Sequence, residues 1–120
     1  MESLQHKSFT SPDEVRELGH TRVENLTFGS GTVGRMTLQP GWKWSEHVKP
    51  NVVTELCMVP HFSYQLSGRL GIRMQDGTEA EIGPDDVGII PPGHDAWVIG
   101  DEPVVLFDWT GTTADYGVAR

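Results

Sequence analysis

The chain holds five histidines and one cysteine. The stretch densest in reactive side chains is Glu55-Leu56-Cys57-Met58-Val59-Pro60-His61-Phe62-Ser63-Tyr64-Gln65-Leu66-Ser67-Gly68. Alternate residues of an extended strand face the same side. Glu55, Cys57 and His61 therefore share one parity, with Pro60 as a point where the register can break. A carboxylate, a thiol and an imidazole on one face form a set of metal ligands. The sulfur and nitrogen donors select zinc or iron over magnesium or calcium. A plainer reading makes Cys57 a small buried hydrophobe and Glu55 a solvated surface charge. Further along, parity separates Phe62, Tyr64 and Leu66 from His61, Ser63 and Gln65. The first set would pack on a core or a subunit neighbour, and the second would face a cavity or solvent.

Two other stretches carry chemistry. In Pro40-Gly41-Trp42-Lys43-Trp44-Ser45-Glu46-His47-Val48-Lys49-Pro50, two tryptophans lie close to charged residues, as at a pocket edge. Packing explains them equally well, with His47 only capping a turn. In Gly83-Pro84-Asp85-Asp86-Val87-Gly88-Ile89-Ile90-Pro91-Pro92-Gly93-His94-Asp95-Ala96-Trp97, the rigid Pro-Pro-Gly turn fixes the direction of His94. His94 is a ligand, an acid–base group or an ordinary turn histidine. Neighbours in a strand rarely face each other, so Asp95 need not orient it.

These groups need a scaffold, and the composition says which kind. With 120 residues, one domain is the default. Fourteen glycines and eight prolines favour many short strands over long helices. Strands are expected at Val23 to Phe28, Val33 to Leu38, Phe62 to Leu66, Arg69 to Met74, Thr78 to Ile82, Val87 to Ile90, Trp97 to Ile99 and Val104 to Trp109, separated by Gly-rich turns and the Asp76-Gly77 hairpin signal. Such a series implies an all-β sandwich or barrel. One short N-terminal helix, about residues 12–18, is predicted from the Ser11-Pro12-Asp13-Glu14 cap and stop signal Gly19. Thr112 to Arg120 is expected to be a loose end or an arm on a neighbouring subunit.

The charge excludes some partners. Nine basic and 17 acidic residues leave a net charge of −8. That surface repels phosphate backbones and anionic lipid, so nucleic acid and membrane are not expected partners. No run of apolar residues is long enough to span a bilayer. Met1 to Thr10 is polar and lacks the apolar run of a signal peptide. One cysteine excludes an intramolecular disulfide and suits a reducing compartment, so a cytoplasmic location is expected.

Together the three stretches resemble the cupin superfamily over about residues 33 to 109. Gly41 and His47 keep the opening glycine-to-histidine spacing of the family's first motif, and Gly68 closes it. His61 lies where that motif has its glutamate. Gly83, Gly88 and Pro91-Pro92-Gly93 follow the second motif. The departures are specific. His47 is followed two residues later by Lys49, not by a second histidine. Counted back from His61, the histidine pair's positions hold Glu55 and Cys57. The second-motif histidine falls at Ala96, with His94 two positions earlier. The Trp-Ser-Glu-His, Cys-x-x-x-His and Pro-Pro-Gly-His-Asp pattern is similar to that of a subset of small bacterial single-domain cupins.

The resemblance implies a single-domain cupin-type β-barrel, or jelly roll, with its core at about residues 23–110. The family's usual three-histidine, one-glutamate site does not carry over; the donors present instead suggest a divalent metal ion, zinc or iron, held by His47, Cys57 and His61, with Glu55 or His94 completing the shell, or with His94 acting as acid or base. Trp42, Trp44, Tyr64, Gln65 and Trp97 would line the small-molecule site. Two function classes follow. One is a metal-dependent enzyme with oxygenase, isomerase or lyase chemistry. The other is a non-catalytic ligand-binding or sensory cupin, and a degenerate structural dimer is a third reading. Ligand convergence discriminates them. A small barrel with exposed apolar strand faces is also expected to form a homodimer.

Overall fold

Alternation of buried and exposed residues runs through most of the chain, and it builds two antiparallel sheets. The computed structural model describes residues 3–52 and 54–115. The strands are β1 (Glu14–Leu18), β2 (Thr21–Phe28), β3 (Gly31–Leu38), β4 (His61–Ser67), β5 (Arg69–Met74), β6 (Glu79–Ile82), β7 (Val87–Ile90), β8 (His94–Ile99) and β9 (Val104–Asp108). The larger sheet has the order β1-β2-β3-β9-β4-β7, and the smaller β6-β5-β8. This is the all-β jelly-roll arrangement expected from the sequence.

Between the sheets lie Val23, Met36, Leu38, Leu70, Ile72, Ile90, Ala96, Val98, Val104 and Leu106, all buried. Trp42, Trp44, Val48 and Cys57 join them from the connection between β3 and β4. That connection holds the short helix α1 (Trp44–His47) and a 3-10 turn at Lys49–Asn51. The Ser45 amide donates to Asp95 Oδ1 at 3.1 Å, which ties α1 to β8. Asp95 thus turns outward and does not orient His94.

The N-terminal helix expected at residues 12–18 is not formed. Glu14 to Leu18 pairs instead with β2, from Glu14↔Asn25 to Leu18↔Thr21, across a Gly19-His20 turn in which His20 takes φ 65°. Two turns of helix leave the nucleation cost largely unrecovered in the absence of a buried face. The segment offers little, since Val15 is exposed and only Leu18 packs on the core. The open ladder of β2 satisfies the same backbone groups at once. Asp13, read as part of a helix cap, accepts from the Thr27 amide and from Lys7 Nζ, both at 2.8 Å.

The chain end also differs from expectation. Thr112–Asp115 is a 3-10 turn, and Thr113 is buried against Gly34. A side chain at Gly34 would collide with it. The remainder of the expected loose end, residues 116–120, lies outside the described residues. No helix among the described residues is long and apolar enough to cross a membrane.

Candidate metal centre

Two turns and one strand bring the reactive groups together. Cys57 and His94 form an antiparallel bridge: the Cys57 amide donates to His94 O at 2.8 Å, and the Gly93 amide donates to Cys57 O at 2.7 Å. Directly paired residues present their side chains on one face. The turn before His94 depends on Gly93, whose φ of 92° disfavours any other residue. His61 opens β4 on the inward parity and pairs with Ile90 at the end of β7. The ligand atoms of Cys57, His61 and His94 all lie within 4.8 Å of one another. The two rings meet edge to face with centroids 5.4 Å apart.

Both imidazoles are held by their inner nitrogen. His61 Nδ1 donates to Asp108 Oδ2 at 2.6 Å, and His94 Nδ1 donates to Pro91 O at 2.7 Å. Each ring therefore turns its other nitrogen, Nε2, toward the Cys57 sulfur. This is the outer-shell pattern of metal-binding histidines, in which a carboxylate or carbonyl sets tautomer and orientation. Asp108 is fully buried and is held in turn by the Thr110 amide at 2.8 Å and the Thr110 hydroxyl at 2.6 Å, both on Oδ1. With both oxygens engaged, Asp108 supports a ligand and is not one itself.

The electrostatics follow from these contacts. Burial pushes the Cys57 thiol up, but hydrogen bonds from His61 and His94 more than offset it and bring the thiol from 9.0 to about 6. Burial pushes His61 down, and the Asp108 and Cys57 hydrogen bonds outweigh it, raising it from 6.5 to about 9. Burial also raises the Asp108 carboxyl, yet His61 and Thr110 leave it below the usual carboxylate range. A sulfur already ionised near neutrality is a ready metal ligand.

The triad stands at the wall of a cavity of about 50 Å³. Trp42, Trp44, Met36, Leu38, Leu70 and Ile72 supply much of its lining, together with Ser63 and Asp108.

No protein-family profile matches this chain, and no curated protein sequence matches it. Solved structures do. A protein of unknown function from Rhizobium leguminosarum bv. viciae 3841 superposes with a TM-score of 0.62 at 19% identity, over 90% of this chain and 97% of that one. KdgF from Halomonas sp. superposes with 0.57 at 10% identity, over 82% and 87%. EutQ from Clostridium difficile superposes with 0.52 at 15% identity, over 74% and 66%. KdgF and EutQ are cupin-fold proteins. The chain has the cupin fold. At these identities the likeness speaks of fold alone.

The cupin scaffold sorts the residues singled out by sequence. Cys57, His61 and His94 converge. His47 does not: its Nδ1 accepts from the Lys43 amide at 3.1 Å, and its ring packs on His20 at 4.3 Å, so it caps α1. Glu55 is 89% exposed and pairs with Lys49 Nζ at 2.5 Å. Of the expected wall, Trp42 and Trp44 line the cavity. Tyr64 points outward and bonds Asp85. Gln65 is buried, but its Nε2 donates to Gly68 O at 2.7 Å and Ile82 O at 2.8 Å, so it fastens turns. Trp97 lies on the outer face of the smaller sheet, across Gly71, where a Cβ would sit 2.4 Å from its ring. Ser63 reaches the cavity, as its parity with His61 allows, and Asp108 reaches it without having been assigned there. Parity marks Asp108: in Val104 to Asp108 it shares the buried side with Val104 and Leu106.

The linked pKa values fix how the metal-free protein responds to pH. Cys57 is depressed, so its stabilisation is complete above 9.0 and is lost as pH falls through about 6. His61 is raised, so its stabilisation is complete below 6.5 and is lost as pH rises through about 9. Between those limits the two trends oppose. Thiolate ultraviolet absorbance, with Cys57→Ser as the blank, should titrate near pH 6 in the metal-free protein. It should move back toward 9.0 in His61→Gln. A midpoint near 9.0 in the wild type contradicts the thiolate–imidazolium pair.

Proposed function

We propose that this cupin is a metalloprotein in which Cys57, His61 and His94 hold a divalent ion, zinc or iron, and that it acts on a small molecule in the adjoining cavity. One observation carries the reading. Both histidines are anchored through Nδ1, by Asp108 and by the Pro91 carbonyl, so that their other nitrogens meet the Cys57 sulfur. Nothing in ordinary core packing requires one buried and one half-buried imidazole to be aimed at one thiol.

The donor set fits the group. Sulfur and imidazole suit zinc and iron, and three protein ligands leave a position open, as in catalytic and ligand-binding centres. Zinc would supply Lewis-acid chemistry there, and iron would add chemistry with oxygen. The chain's own residues do the rest. Asp108 keeps the proton on His61 Nδ1, the leucines and tryptophans exclude water, and the Cys57 thiolate offsets one ionic charge. A free thiolate of this kind persists in a reducing compartment, which agrees with a cytoplasmic location. A second reading, a non-catalytic small-ligand-binding or sensory cupin, is favoured by one feature. Among the described residues each titratable group lining the cavity is already engaged, as triad member or support, so none of these stands free as acid or base.

We also propose that the protein is a homodimer. The chain's own N-terminal segment covers part of the outer face of the larger sheet: Phe9 packs on Phe107 at 5.6 Å, and Arg35 stacks on Phe9 at 4.8 Å. Beyond it, Phe62, Leu66, Val87, Ile89 and Trp109 are exposed. Phe62 pairs with Ile89 and Tyr64 with Val87, so much of the patch is continuous, and β7 ends the sheet with an open edge. Pairing two copies about a two-fold axis would cover such a face on both.

Metal analysis of protein purified without chelator should find about one zinc or iron per chain in the wild type. Cys57→Ser, His61→Ala and His94→Ala should each lose most of it, and His47→Ala and Glu55→Ala should keep it. Equal, trace metal in all six samples sinks the metal reading. For the dimer, sedimentation should give twice the chain mass, and Ile89→Lys should give a single chain. A single-chain mass for the wild type refutes it.

A further inference from the structure

Trp42 is 4% exposed, and its indole Nε1 has no hydrogen-bond partner. A buried donor left unpaired is costly, so native structures seldom keep one without a use. The orphan does not come from a loose backbone. The Trp42 amide donates to Gln39 O at 3.0 Å, and its carbonyl accepts from the Val98 amide at 2.9 Å. Its ring lines the same cavity as the triad. The other unpartnered buried atoms, Asn25 Oδ1 and Thr113 Oγ1, belong to residues that do not line this cavity.

The lining also limits what can enter. Among the described residues no lysine or arginine faces the cavity, so none of them neutralises a phosphate or a polyanion there. Outside the triad and Asp108, the polar side chains that the described residues bring to the cavity are the Trp42 indole and the Ser63 hydroxyl, too few to satisfy a sugar. The cavity has room for roughly four waters.

We propose that the Trp42 N–H is the donor that orients the ligand, and that the ligand is a small, neutral, largely apolar carbonyl compound. Its oxygen-bearing end faces the triad and Trp42, and its apolar end faces Leu38, Leu70 and Ile72. The inference rests on the metal-site reading above.

Isobutyramide is the test ligand, with isobutyrate as its anionic isostere, on zinc-loaded full-length protein whose zinc is measured in every sample. The wild type should bind the amide more tightly than the acid. Trp42→Phe should keep its zinc and bind the amide about two- to twelvefold more weakly, the span of one net hydrogen bond. Nitrogen–proton NMR of the wild type gives a second readout that needs no folded variant beyond assignment. Of the four indole signals, the one missing in Trp42→Phe should move downfield on adding the amide. Three results overturn the proposal while leaving the metal site intact: undiminished affinity in Trp42→Phe with zinc retained, tighter binding of isobutyrate, or no saturable binding of the amide to the zinc-loaded wild type. Failure of the wild type to hold zinc overturns the metal reading itself, and the ligand proposal with it.

Discussion

The Asp108 carboxylate has no contact with solvent, and its burial constrains everything around it. A carboxylate in that position must be neutralised or fully hydrogen-bonded. Asp108 meets the demand with Thr110 on one oxygen and His61 on the other. The second bond decides the site. It places the proton on His61 Nδ1, turns the ring to present Nε2 inward, and raises its basicity beside Cys57. β9 can hold Asp108 there because Val104 and Leu106, on the same parity, bury the strand's inner face. Ser63, opposite Asp108 in the register, leaves room for the pair.

Hairpin geometry supplies the other two members. The Pro91-Pro92-Gly93 turn returns the chain sharply, and its own Pro91 carbonyl holds His94. Cys57 arrives from the opposite direction on the long connection out of α1, and a three-bond backbone bridge to Gly93 and His94 fixes it. The connection thus does two jobs. It carries Cys57 into the centre, and it packs Trp42 and Trp44 over the cavity. The result is a polar cluster of a few atoms set in an apolar wall, where electrostatic interactions are stronger than in water.

Much of the fold was legible because strand alternation and turn dipeptides are local signals. Asp76-Gly77, Ser67-Gly68 and Pro91-Pro92-Gly93 each mark a chain reversal, and the strands between them lie within a few residues of where the pattern puts them. β1 was misread for the converse reason. Ser11-Pro12-Asp13-Glu14 carries local helix-start chemistry, whereas its pairing with β2 is a tertiary choice. The site was legible in part. Parity put Cys57 and His61 on one face, and the turn singled out His94. His47 and Glu55 were drawn in by family spacing and by parity continued through a segment that is not a strand. His47 lies within α1 and bonds back to its first turn, while Glu55 follows the Lys49–Asn51 turn and stands in solvent. Trp97 was misplaced although its own strand alternates His94, Ala96 and Val98 inward, which puts it outside.

The account stands on one sulfur and two imidazole nitrogens sharing a single ion. X-ray absorption at the metal edge of the purified protein tests that directly. The expected spectrum has one sulfur at about 2.3 Å and two imidazole nitrogens at about 2.0–2.1 Å, with the remaining scatterer a light atom. A bound metal surrounded only by oxygen and nitrogen, or a sulfur contribution that persists in Cys57→Ser, would contradict it.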